Sequence, residues 1–61
     1  MKTYIVKFYF NRKPHILNYN EEIINAADTA TRDVKVLARK RELGAYVAQI
    51  YTEKGTPIKS L

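Results

Sequence analysis

The amino-acid sequence predicts an α+β domain in which one helix covers one face of a three- or four-stranded antiparallel sheet. Two period-two segments come first, a helical segment with an apolar stripe follows, and a strand pair around a glycine turn ends the chain. A right-handed crossover places the third strand beside the first, which favours the strand order 2-1-3-4. With 61 residues, the chain is expected to be a single ββαβ(β) domain.

The first predicted strand covers residues 2–10, whose side chains alternate between two faces. One face carries Tyr4, Val6, Phe8 and Phe10. The other face carries Ile5, Lys7 and Tyr9. Because the first set is the more apolar, we expect it to pack against the helix and the second set to lie on an open face.

The second predicted strand runs from about His15 to Ile23 or Ile24, and the start of the helix after it has two alternatives. Asn20 is a good N-cap, and the two acidic residues that follow suit a first helical turn. A helix from Asn20 would be roughly 36 Å long, whereas a nine-residue strand spans about 30 Å. We therefore prefer a helix start near Thr29.

A short polar turn after Phe10 sets the predicted register of the first hairpin. If Phe10 pairs with His15, Phe8 lies opposite Leu17 on the helix side of the sheet. The same count places Ile16 on the open face. Register matters here because a slip of one residue moves every side chain of a strand to the other face.

The predicted helix runs from about Thr29 to Leu43, with Asp28 or Thr29 as its N-cap and Gly44 as its stop. Val36 falls on the predicted outer face, where it is expected to touch a partner chain. The stripe expected to face the sheet consists of Ala30, Val34, Leu37, Ala38 and Arg41.

The last part of the chain predicts a second hairpin. Residues 45–52 form the third strand, and residues 53–55 form a loop with Gly55 at a left-handed position. Residues 56–59 return as a short fourth strand. Pro57 is tolerated there only if this strand lies at the sheet edge.

Three segments carry a resemblance to other proteins: Lys35-Val36-Leu37-Ala38-Arg39-Lys40, Leu43-Gly44-Ala45-Tyr46-Val47-Ala48-Gln49-Ile50-Tyr51 and Gly55-Thr56-Pro57-Ile58. This pattern resembles the second half of small uncharacterised bacterial and phage proteins. The resemblance covers about half of the chain. It implies a hairpin-helix-hairpin fold and no function.

Composition and charge limit the function classes. The chain has no cysteine, which excludes disulfides and thiolate metal sites. A net charge of +5 favours acidic partners. No apolar run reaches the length of a membrane span, and no signal peptide is apparent, so we expect a cytoplasmic protein that binds no membrane. Small cores without disulfides often gain stability by self-association, which favours a homodimer.

Catalysis is not expected from this sequence. His15 is the only histidine and lies next to a turn. Glu21 and Glu22 are adjacent, so in a strand they point to opposite faces and cannot act as a pair. No acidic or histidine residues have the spacing of metal ligands, and neither glycine belongs to a phosphate-binding loop. We therefore predict no enzyme activity, no cofactor, no metal and no small-molecule substrate.

The open sheet face is the leading candidate for an interaction site. Its predicted members are Ile5, Lys7, Tyr9, Ile16, Asn18, Val47, Gln49 and Tyr51. Apolar patches with aromatic members often mark protein interfaces. We therefore expect this face to bind a protein partner or a second copy of the chain.

The alternative hypothesis is a basic nucleic-acid-binding protein. Tyrosines and a lysine on an open sheet are typical of surfaces that stack single-stranded bases. Basic side chains would contact phosphates. Candidates are Arg12 and Lys13 at the edge of the sheet and, on a predicted outward strip of the helix, Arg32, Lys35 and Arg39.

Overall fold

The computed structural model describes residues 1–10 and 19–61, which form four strands and one helix. The strands are β1 (Lys2–Tyr9), β2 (Tyr19–Ala26), β3 (Val47–Thr52) and β4 (Pro57–Ser60), and helix α1 (Thr29–Leu43) connects β2 to β3. All pairs of strands are antiparallel, in the order β2-β1-β3-β4. This confirms the predicted fold class and strand order. The predicted turn after Phe10 and the predicted strand start at His15 lie outside the described residues.

The core lies between helix α1 and one face of the sheet. Its buried members are Tyr4, Val6, Phe8, Ala26, Val36, Ala48 and Ile50. The even-numbered residues of β1 therefore lie beneath the helix, and the odd-numbered residues lie on the other face. This is the orientation of β1 that its alternating sequence predicts.

The register of the first hairpin differs from the prediction. Phe8 lies opposite Asn20, three positions beyond the predicted Leu17, and Tyr9 lies opposite Tyr19. An odd shift exchanges the two faces of β2. Hydrophobicity did not specify the register, since Ile23 and its neighbour Ile24 place an apolar side chain on either face.

The rotation of helix α1 about its axis also differs from the prediction. Val36, expected on the outer face, is fully buried against the sheet. Val34 is 67% exposed and Leu37 is 44% exposed, so the predicted inner stripe faces outward. Its other members, Ala30, Ala38 and Arg41, are exposed as well.

The predicted helix ends are confirmed. Asp28 is the N-cap, and its carboxylate accepts a hydrogen bond of 2.7 Å from the backbone nitrogen of Thr31. Asn20 lies within β2, which excludes the early helix start. Gly44 ends the helix with a left-handed backbone, at a φ of 71°. A residue with a side chain adopts that conformation only at a cost.

The second hairpin is present as predicted, although β3 begins two residues later than the predicted residue 45 and β4 begins and ends one residue later than predicted. Gly55 has a φ of 92°, in the left-handed region that favours glycine. Thr52 donates a backbone hydrogen bond of 2.8 Å to the carbonyl oxygen of Thr56, which closes the turn. Pro57 begins β4, which lies at the edge of the sheet as its missing N–H requires.

Candidate interaction face

The face of the sheet opposite helix α1 presents a continuous patch of aromatic, apolar and charged side chains. The register aligns them across β2, β1 and β3 in three rows. The rows are Tyr19–Tyr9–Val47, Glu21–Lys7–Gln49 and Ile23–Ile5–Tyr51. We call these nine residues the tyrosine face.

Lys7 lies at the centre of the tyrosine face, between two aromatic rings. Its Nζ atom is 5.3 Å from the ring centroid of Tyr19 and 5.1 Å from that of Tyr51. A cation at this distance is attracted to the ring by its quadrupole. Glu21 is the register partner of Lys7 on β2, so the patch contains one charge of each sign.

Tyr9 forms the most enclosed part of the tyrosine face. Its ring lies 5.2 Å from that of Tyr19, at an interplanar angle of 39°. Tyr9 is 8% exposed even though it faces away from the helix. Burial raises the pKa of its phenol above the ordinary value of 10.0, and the nearby Tyr51 adds to the effect.

Tyr51 is held by a hydrogen bond within the same face. Its hydroxyl donates to Oε1 of Gln49 at 2.6 Å. The two residues are two positions apart on β3, so both side chains lie on one side of the sheet. Together with the contacts of Lys7, this bond restricts the side-chain conformations on this face of the sheet.

The structure brings together the described members of the predicted open face. They are Ile5, Lys7, Tyr9, Val47, Gln49 and Tyr51. Ile16 and Asn18 lie outside the described residues. Tyr19, Glu21 and Ile23 were missed because the predicted register was wrong. Aromatic cross-strand pairs are favourable, and the pairing of Tyr9 with Tyr19 is the one sequence signal that indicates the observed register.

Of the three residues in the predicted outward basic strip of the helix, Arg32 is the one whose predicted position is wrong. Arg32 is only 4% exposed and lies on the sheet side of helix α1. Arg39 donates two short hydrogen bonds to the carboxylate of Glu22, at 2.8 and 2.9 Å. Lys35 is exposed, but its Nζ donates to the backbone oxygen of Asn25 at 2.7 Å. The buried position of Arg32 follows from the rotation of the helix.

The remaining predicted candidates lie outside the described residues. These are Arg12, Lys13 and His15. Within residues 1–10 and 19–61, no group of three acidic or histidine side chains is placed to hold a metal ion. In the same ranges, helix α1 is too short and too polar to cross a membrane.

Comparisons with known proteins do not assign the chain to a family. No protein-family model, no curated protein and no solved structure matches it.

Proposed function

We propose that the protein is a non-enzymatic interaction module that pairs with a second copy of itself through the tyrosine face. The observation that carries this proposal is the cluster of three tyrosines and three aliphatic side chains around a single lysine–glutamate pair. Tyrosine is enriched at protein interfaces, where charged residues are depleted from the core. Ile23 is 61% exposed on this face, which is a large exposure for isoleucine in a strand.

The charges of the tyrosine face support a second copy as the partner. A two-fold interface places the same patch on both partners, so a patch that carries both signs is complementary to itself. Lys7 and Glu21 lie opposite each other on neighbouring strands. A two-fold axis between them would set Lys7 of one copy against Glu21 of the other.

The size of the core gives a physical reason for pairing. A domain of this length buries only about 60% of the surface that its unfolded chain exposes. Among residues 1–10 and 19–61, the buried core cluster has seven members, two of which are alanines. Burial of Ile5, Ile23 and Val47 in a dimer would add a second apolar layer, and apolar burial contributes about 25 cal/mol per Å².

Nucleic acid has less support as the partner. The tyrosine face has one lysine, and a glutamate lies directly across from it. Arg39 and Lys59 are bonded to carboxylates of the chain itself. Base stacking on Tyr19 and Tyr51 is compatible with this geometry, so the experiment below also measures binding of a single-stranded oligonucleotide.

Sedimentation velocity of the purified protein over a wide range of concentration tests the proposal. We expect a monomer–dimer equilibrium that Ile23→Asp shifts to monomer, because the substitution buries a charge in the interface. Val34→Asp is the matched control, since Val34 is exposed to a similar degree on the opposite side of the molecule. It should leave the dimer intact.

Two results would overturn the proposal. One is a wild-type protein that remains monomeric at the highest concentration reached. The other is binding of a short single-stranded oligonucleotide that weakens steeply with salt and is lost in Ile23→Asp, because that salt dependence is typical of phosphate contacts.

A further inference from the structure

A cleft of about 780 Å³ opens on the helix side of the sheet, away from the tyrosine face. It lies where β1 begins, helix α1 begins and β3 turns into β4. The cleft is lined by aromatic, basic and hydroxyl side chains, among them Lys2, Tyr4, Thr29, Arg32, Lys54 and Thr56.

Arg32 is the unusual member of this cleft. Its side chain is almost fully buried, and its guanidinium lies over the ring of Tyr4, 5.0 Å from the centroid. Nε donates to Oδ1 of Asp33 at 3.0 Å. Within the part of the chain that the structure describes, Nη1 and Nη2 donate no hydrogen bond to protein. Among the described residues no buried side-chain nitrogen lacks a hydrogen-bond partner, so the unbonded Nη atoms are open to the solvent of the cleft, and their N–H groups can donate to a ligand there.

The charges around the cleft leave an excess of positive charge. Asp33 is shared, because its other oxygen, Oδ2, accepts from Nζ of Lys59 at 3.0 Å. One carboxylate thus serves two cations. Lys2 and Lys54 are exposed and line the same cleft, together with one further carboxylate, Glu53.

We propose that this cleft binds a phosphate group. Arginine presents paired N–H donors that match the oxygens of a phosphate, and charge-assisted bonds of this kind are strong. The Nη atoms of Arg32 would form the base of the site, and the lysines would neutralise the remaining charge. Thr29 and Thr56 supply hydroxyl donors. Phosphate fits better than a carboxylate because the cleft offers several cations and hydroxyls to one group.

Titration of the protein with inorganic phosphate, at constant ionic strength maintained with sodium chloride, tests this site. Backbone and arginine side-chain NMR signals are the readout. We expect saturable shifts at Thr29, Arg32 and Lys54, together with a higher Tm in phosphate than in chloride. Phosphoserine and adenosine monophosphate share the phosphate group, and whichever binds tighter identifies its source.

Variants separate a binding site from a structural arginine. Arg32→Lys keeps the charge but loses the paired donors, so phosphate-induced shifts should disappear. If that variant does not fold, Lys54→Ala still tests the site, because Lys54 is exposed and should weaken phosphate binding severalfold when removed. Lys35→Ala, a lysine on the helix outside the cleft, is the control.

Phosphate shifts no larger than those of chloride would overturn the proposal, as would equal weakening by Lys54→Ala and Lys35→Ala. The first result would mean that Arg32 only packs on Tyr4. The second would mean that phosphate screens the surface without occupying a site. Neither result bears on the tyrosine face, which lies on the other side of the sheet.

Discussion

Arg39 on helix α1 donates two hydrogen bonds to the carboxylate of Glu22 on β2, from Nε to Oε1 at 2.8 Å and from Nη2 to Oε2 at 2.9 Å. This contact depends on the register of the first hairpin and on the rotation of helix α1, both of which differ from the sequence-based prediction. The shifted register of the first hairpin places Glu22 beneath the helix. The rotation of the helix places Arg39 over β2. The Glu22–Arg39 pair therefore depends on both the register of the first hairpin and the rotation of helix α1.

We predict that the Glu22–Arg39 pair makes stability fall at acidic pH. The hydrogen bond from Arg39 lowers the pKa of Glu22 below its ordinary value of 4.5. A depressed carboxyl pKa stabilises the fold above the unfolded-state pKa, and this stability is lost as the pH falls through the folded-state pKa. Glu22→Gln should flatten the acid limb of a pH–stability curve. Asp28 and Asp33, whose pKa values are also lowered, should retain part of it.

A double-mutant cycle of Glu22→Gln with Arg39→Gln measures the coupling directly. We expect a favourable coupling at low salt that shrinks at high salt, since both groups are partly exposed. Glu21→Gln is the matched control, because Glu21 lies on the opposite face of β2. Equal coupling of Arg39 to Glu21 and Glu22 would contradict the register.

The rotation of helix α1 predicts opposite results for its two valines. Val36→Ala removes buried methyl groups and should lower the free energy of unfolding by roughly 2 kcal/mol. Val34→Ala should change it by less than about 0.5 kcal/mol, because Val34 is mostly exposed. Chemical denaturation of both variants at a protein concentration where all are monomeric checks this. A larger loss of unfolding free energy in Val34→Ala than in Val36→Ala would mean that the stripe through Val34 and Leu37 faces the sheet, as the sequence predicted.

Gly44 should resist substitution for a backbone reason alone. Its φ is 71°, and a Cβ added there would meet no atom within 4 Å. Gly44→Ala should therefore lower the free energy of unfolding by about 1 kcal/mol through left-handed strain and not through a clash. Gly44→Asn should lose less, because asparagine tolerates this conformation better. Equal losses in thermal or denaturant unfolding would argue against this explanation.

Tyr9 should weaken the fold at alkaline pH. Burial raises the pKa of its phenol, so the folded state favours the protonated form. The unfolded chain loses its proton first as the pH rises past 10.0, and stability should fall from there up to the folded-state pKa. Tyr9→Phe should remove this part of the alkaline loss. A spectrophotometric phenol titration in which Tyr9→Phe removes an early-titrating group would contradict the prediction.

The overall fold could be predicted because it depends on strong signals. The alternation in residues 2–9 identifies β1 and its two faces, and Gly44 and Gly55 mark the ends of the helix and of the third strand. The strand order then follows from crossover handedness. These signals also placed Lys7 and Tyr51 on one face of the sheet.

The register of the first hairpin and the rotation of helix α1 could not be predicted, because the sequence is compatible with two arrangements of each. Adjacent Ile23 and Ile24 allow either face of β2 to be apolar. Helix α1 has one apolar stripe through Val34 and Leu37 and another through Val36 and Leu43. The second stripe faces the sheet. Arg32 is buried on that side of the helix, and its guanidinium forms an ion pair with Asp33.

The central claim is that the tyrosine face pairs with itself, and an isotope-filtered NOE experiment on a mixture of labelled and unlabelled protein tests it most directly. Pairing through this face predicts intermolecular contacts from the methyl groups of Ile23 and Val47 to the rings of Tyr19 and Tyr51. Intermolecular contacts confined to Val34 and Leu37, or none at a concentration where the complex should form, would contradict it.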